Sequence, residues 1–263
     1  MHVGTAERPR AFVRASGPDA EDFLQRMLSN DVAALAPGES CEALLLTPKA
    51  RVIAPVRVLR RAADDFLLLT EPRLGGVLRE HLARARFAAR VELEPEDHES
   101  RILLGDDPPG TALALHTQDY GIPGWEVLDA ELEPTLDDAE LERMRIEAGT
   151  PAWGKEIDER VLPAEAGLVE RAVSLSKGCY PGQEPIARLH YRGHANRGLR
   201  VLRLEGGELP EPDAELLYDG KAVGWVTSAA RSDGAVVALA YVRAEVPADA
   251  ELALGDAVAR PLH

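Results

Sequence analysis

Cysteine is nearly absent: Cys41 and Cys179 are the only two in 263 residues. They are far apart, and the opening MHVGTAERPRAF has no apolar run of secretory type, so a disulfide framework is not expected and a reducing, cytoplasmic setting is. Aromatic residues are also few, with three Trp, four Phe and five Tyr, which leaves Leu, Val and Ala to fill the core. No run of about 18 apolar residues occurs, so no membrane-spanning helix is expected. Positive charge is in deficit, at a formal net charge of −15. Such a surface repels phosphate backbones and anionic lipid, and neither a direct nucleic-acid partner nor a membrane partner is expected. There is no GxGxxG, no Walker-type loop and no internal repeat. With two cysteines and no nearby cluster of carboxylates, a preformed metal site is not expected either.

What is present is a globular composition, 45% hydrophobic and 29% charged, with length enough for a large domain and a small one. Ala20, Phe23, Leu24, Met27 and Leu28 recur at helical spacing, with Glu21 and Asp22 at the positive end of the dipole. Strand-like runs follow at 42–47, 52–59 and 65–70. Pro55 argues for an edge or a bulge in the second of these. A second helix is predicted from Pro72, with Leu74, Val77, Leu78 and Leu82 on one face. Further strands are predicted at 90–94 and 101–104, and a third helix at 136–148 carrying Leu141, Met144 and Ala148. Separated helices among antiparallel-looking strands indicate α+β rather than a doubly wound sheet. After Asn196 the pattern turns to short β-rich runs, with Asp219-Gly220 and Ser232-Asp233-Gly234 as hairpin signals. A small all-β barrel or sandwich is expected there, with no helix after Gly198.

Three local features carry chemistry. The sharpest is Lys177-Gly178-Cys179-Tyr180-Pro181-Gly182-Gln183-Glu184. Pro181-Gly182 fits the central pair of a type II turn, proline pre-setting φ and glycine accepting φ > 0. Cys179 is thereby placed on a tight loop, and Lys177 would lower its pKa if the two side chains converge. The competing reading is a small buried hydrophobe, the ordinary fate of cysteine. The second feature is a strip without acids from Pro185 to Leu204 that holds Arg188, Arg192, Arg197, Arg200 and Arg203, with His190 and His194. Read as an extended segment, it puts Arg188, His190 and Arg192 on one face, able to grip a carboxylate or phosphate tail. A solvated face paired with acids elsewhere is the alternative. The third feature is Glu147, late in the third helix. A carboxylate accepts two side-by-side hydrogen bonds from a ring N–H and an exocyclic amine, as on a pterin or guanine edge. Glutamate is otherwise an ordinary solvated helix residue.

At these residues the chain resembles the YgfZ-type folate-binding proteins, relatives of the glycine-cleavage T-protein. KGCYPGQE, followed by Ala187-Arg188 and Arg192-Gly193, is similar to that family's signature. Gly17-Pro18-Asp19-Ala20, Phe23-Leu24-Gln25 and Ser29-Asn30-Asp31 resemble its N-terminal segment. Ile146-Glu147-Ala148-Gly149, Trp153-Gly154 and Ile157-Asp158 resemble its central folate-contact segment, and the runs at 223–228 and 238–243 its C-terminal barrel. The resemblance implies an α+β fold, with a pseudo-symmetric folate-binding domain over 1–194 and a small β-barrel over 195–263. It implies tetrahydrofolate or a one-carbon derivative as cofactor, with Glu147 on the pterin and Asn30, Lys177, Arg188 and Arg192 around the folate. Cys179 would be the signature thiol, with Lys177 beside it. The implied partners are iron–sulfur client or assembly proteins, served through folate-linked assembly or repair of their clusters. One departure matters. After the LLT-like strand the T-protein carries an acidic pair whose aspartate serves catalysis, whereas this chain has Ala54-Pro55. Neither residue transfers a proton, so aminomethyl transfer is not expected. A folate-dependent one-carbon transferase or demethylase stands as the alternative.

Overall fold

The computed structural model describes residues 4–110, 113–205 and 208–262. Two antiparallel sheets form the larger part. One runs in the order β3-β4-β5-β2-β6, from β2 (Ala11–Ser16), β3 (Ser40–Leu46), β4 (Val52–Ala62), β5 (Asp65–Thr70) and β6 (Glu92–Glu96). The other runs β1-β7-β9-β8, from β1 (Gly4–Glu7), β7 (Ser100–Leu104), β8 (Leu113–Thr117) and β9 (Gly124–Leu128). β5 is apolar from Phe66 to Leu69 because both its faces are covered. Phe66 and Leu68 point towards α1 (Ala20–Met27) and α2 (Gly75–Ala85). Leu67 and Leu69 meet Leu115 and Leu128 of the other sheet.

In α2 and the 3-10 turn before it, Leu74, Leu78 and Leu82 are buried as the spacing requires. Val77 is not: it is 45% exposed, because its side chain falls to the flank of that stripe. Pro55 lies in the interior of β4, opposite Leu44 of β3, but β5 pairs with β4 only from Arg57 onward. Proline therefore sits where one side of the strand is free of ladder bonds, and its carbonyl accepts from Thr70 Oγ1 at 2.6 Å.

The third helix, α3 (Asp138–Glu147), starts with a capping box between Asp137 and Glu140. It bridges two bodies. Leu141 packs beneath β1 and β7, and Ile146 packs on Val237 and Leu239 of the terminal barrel. That closed barrel runs β10-β13-β12-β11-β14-β15, from β10 (Arg197–Leu204), β11 (Glu215–Tyr218), β12 (Lys221–Ser232), β13 (Ala235–Arg243), β14 (Leu252–Leu254) and β15 (Ala257–Pro261). The φ values of Asp219 and Gly220 (50° and 73°) and of Asp233 and Gly234 (45° and 79°) are those of type I′ hairpin turns. The short α4 (Val169–Ala172) precedes α5 (Gln183–Arg192), after which the described residues contain no helix. No helix among them is long and apolar enough to cross a membrane.

α5 corrects the extended reading of 188–192. Glu184 and Pro185 occupy its first turn, where an acid is favoured and proline is tolerated, and Gly193 ends it. Residues two apart cannot share a helix face, so His190 does not line up with Arg188 and Arg192.

Candidate functional site

The Cys179 loop is a type II turn. Gly182 has φ 86° and ψ 0°, and Gln183 N–H donates to the Tyr180 carbonyl at 3.3 Å. Gly182 also seats the loop on the β3–β4 turn, since a Cβ there would lie 2.8 Å from the Thr47 carbonyl oxygen. Cys179 is exposed. Lys177 does not support it. Its side chain runs inward, and Nζ donates to the carbonyls of Leu28 (2.8 Å) and Asn30 (2.7 Å), over the Tyr180 ring. Burial lowers its pKa to about 8, and the thiol it senses is that of Cys41. Burial in turn pushes Cys41 up to about 12. Asn30 is a tether rather than a cavity residue, its Nδ2 donating to the carbonyls of Glu42 (2.7 Å) and Arg171 (3.4 Å).

The basic strip divides in two. Arg197 is held by Glu165 and lies over Trp225 and Tyr241, Arg200 donates to the carbonyls of Val246 and Pro247, and Arg203 pairs with Glu205. Arg188 and Arg192 are exposed on α5 with Tyr191, and among the described residues neither has an ion-pair partner. Glu147 is held by Arg143 of its own helix and by the Ser232 hydroxyl of the barrel. It faces β12 rather than the cavity described next, so the geometry does not place it for a ring ligand there. Among the described residues no group of three or more His, Cys, Asp or Glu is clustered to hold a metal.

The cavity that gathers functional groups lies where the two sheets, α4 and the segment after α3 meet. Arg8, Arg10, Arg57, Arg171, Glu42, Glu71, Asp119 and Tyr120 line it with Leu44, Pro55, Trp153 and Leu168. Behind Arg10 and Arg57 sits Glu126, with 0% exposure. Its Oε1 accepts from Arg10 Nε (2.7 Å) and Ser100 Oγ (2.9 Å), and its Oε2 from Arg10 Nη2 (3.0 Å) and Arg57 Nη1 (3.2 Å). Burial alone would raise this carboxyl, but Arg10 and Arg57 outweigh it and hold the pKa at about 2. Arg57 also reaches Thr117, Asp119 and Glu42, and Arg171 clamps Glu42 and Asp119. These residues escape a reading by motif because each is an ordinary charge in a different segment. The signal they leave is a charge inside an apolar strand, Glu126 in GWEVL and Arg57 in VIAPVRVL, which requires a buried partner.

Ala54 is buried in β4, and Pro55 forms part of the cavity wall. The position at which the T-protein resemblance calls for an acidic pair is thus at this cavity, and it carries no proton-transferring group.

Two stacked sheets, a bridging helix and a terminal barrel around this cavity define a fold of the aminomethyltransferase type. The structure is similar to the glycine cleavage system aminomethyltransferase T of Bartonella henselae, with a TM-score of 0.82 and 21% identity over 97% of this chain and 82% of that one. In sequence the chain is 28% identical over 276 residues to the mitochondrial iron-sulfur cluster assembly factor IBA57 of Mus musculus, covering 90% of this chain and 76% of the relative. It is 27% identical over 285 residues to the tRNA-modifying protein YgfZ of Edwardsiella ictaluri, covering 93% and 85%. No family model matches the chain. These likenesses in sequence and fold support a YgfZ/GcvT-like family for the chain.

Proposed function

We propose that this protein binds a reduced folate in the arginine-lined cavity and acts as an accessory factor for iron–sulfur enzymes rather than as an aminomethyltransferase. The observation that carries the reading is the buried Glu126 carboxylate, set between Arg10 and Arg57 at a cavity whose wall has Ala54-Pro55. A carboxylate so placed accepts side by side from the N–H and amine of a pterin edge, and the surrounding arginines suit the anionic remainder of a folate. In this reading Glu126, not Glu147, holds the ring. The likeness to IBA57 supports the iron–sulfur role, with iron–sulfur client or assembly proteins as partners. The exposed Cys179 loop, with Arg188 and Arg192 exposed and without an ion-pair partner among the described residues, offers such a partner a face. The aminomethyltransferase fold favours the second reading, a one-carbon transferase. Its weakness is the missing acid at Ala54.

Calorimetry with 5-formyltetrahydrofolate tests the binding. Glu126→Gln should cost about 1.5–3 kcal/mol, roughly 10- to 150-fold in affinity, and Glu147→Gln should leave it unchanged. The reverse pattern would return the ring to Glu147. Turnover of an aminomethyl donor by the wild-type protein would favour the transferase.

A further inference from the structure

We propose that Arg10 sets the affinity and ring specificity of this site as an in-chain competitor for Glu126. The inference rests on the folate reading above. The Nε–H and Nη2–H of Arg10 meet the two Glu126 oxygens at 2.7 and 3.0 Å. That is the hydrogen-bond pattern of an N–H beside an exocyclic amine, so the guanidinium copies the edge of an amino-pyrimidinone ring. With Ser100 and Arg57 added, four donors use the roughly four lone-pair sites of the carboxylate, and nothing further can bind until one leaves.

Arg10 is the donor free to leave. Arg57 is tied in addition to Thr117, Asp119 and Glu42 from the interior of β4. Arg10 stands at the mouth of β2 and already donates through Nη1 to Glu71 at 2.9 Å, a second carboxylate onto which the whole guanidinium can turn. Arg8, which shares Glu71 at 2.7 Å, is 27% exposed and can yield to water.

The space agrees. The inner cavity holds about 90 Å³, against roughly 300–1,000 Å³ for ordinary small-molecule pockets. Outside it lies a second pocket of about 420 Å³ lined by Pro72, Gly76, Asp97 and His98, and Arg10 also lines this one. Arg10 is the partition between them. Turned onto Glu71, it uncovers Glu126 and joins the two spaces. A ligand whose edge replaces both N–H groups displaces it, and one that lacks the exocyclic amine does not.

The test is a titration of 5-formyltetrahydrofolate into the wild-type protein, Arg10→Lys, Arg10→Ala and Glu126→Gln, each checked for a cooperative melt. Arg10→Lys keeps the charge but loses the paired N–H groups. Both Arg10 variants should bind about 10-fold tighter or more, because the closed state no longer competes, and Glu126→Gln should bind more weakly. Equal or weaker binding by the Arg10 variants, with the Glu126 effect intact, overturns this proposal and leaves the folate reading standing. No binding by any form overturns both. Independently, the Arg10 Nε–H resonance, assigned by its loss in Arg10→Lys, should be protected from solvent exchange in the free protein and lose that protection at saturating ligand. Protection retained at saturation overturns the proposal even where binding is tight.

Discussion

The two free cysteines are separated by what surrounds them. Cys179 is exposed on its turn, while burial pushes the Cys41 thiol up to about 12 and suppresses its thiolate. Iodoacetamide at neutral pH should therefore label Cys179 well before Cys41, as read by mass spectrometry of the intact fold. Lys177→Ala should leave the Cys179 rate within about two-fold, because the ammonium is directed at the Leu28 and Asn30 carbonyls. Stability should instead fall by about 1–3 kcal/mol, as two acceptors lose their shared donor. A steep loss of Cys179 reactivity with unchanged stability would restore Lys177 to the thiol.

At the scale of the element, Gly182 ties the turn, the start of α5 and the β3–β4 corner together. Its φ of 86° disfavours any side chain, and a Cβ would meet the Thr47 carbonyl oxygen at 2.8 Å and the Ala50 Cα at 3.0 Å, both backbone. Gly182→Ala should cost about 1–3 kcal/mol. Gly178→Ala, with open space around it, should stay within about 0.5 kcal/mol in the same denaturant titration. Equal costs at the two sites would mean that the loop does not depend on that seat. The turn was legible because proline and glycine each impose φ. The apolar runs of β3, β4 and β5 were legible because both faces of each strand are covered. β6 (ELEPE) is exposed along most of its length and carries Pro95, yet pairs with β2 as an edge strand where proline is tolerated. α5 was obscured by its composition, since Pro185, His190 and closely spaced arginines read as irregular until its buried Ile186 is seen against Tyr180 and Leu168. The cavity was illegible for another reason. Arg10, Glu42, Arg57, Asp119, Glu126 and Arg171 come from six segments, and only the stacking of the sheets brings them together.

Across the whole molecule, the same device recurs where the larger domain meets the barrel. Arg145 of α3 is buried against Glu142 and Glu156, and also donates to the Ser228 hydroxyl of β12. Tyr241 of β13 donates to the Glu156 carbonyl at 2.7 Å. Burial raises the Glu142 carboxyl, but Arg145 and then Lys155 outweigh it and hold the pKa at about 2. A carboxyl near 2 in the folded chain and 4.5 in the unfolded one binds more protons unfolded between those values, so stability rises with pH across that window. The contribution is fully present above about pH 4.5 and lost as pH falls through 2. Glu126 behaves in the same way, so cavity and junction weaken together in acid. Glu142→Gln should therefore destabilise the protein by about 1–3 kcal/mol at pH 6, and the difference from wild type should shrink towards nothing near pH 2. Urea midpoints for both proteins at pH 6, 4 and 2.5 measure it. A gap of the same size at every pH would mean that Glu142 acts through its shape rather than its charge, and the junction would then owe its hold to Ile146 and the barrel wall alone.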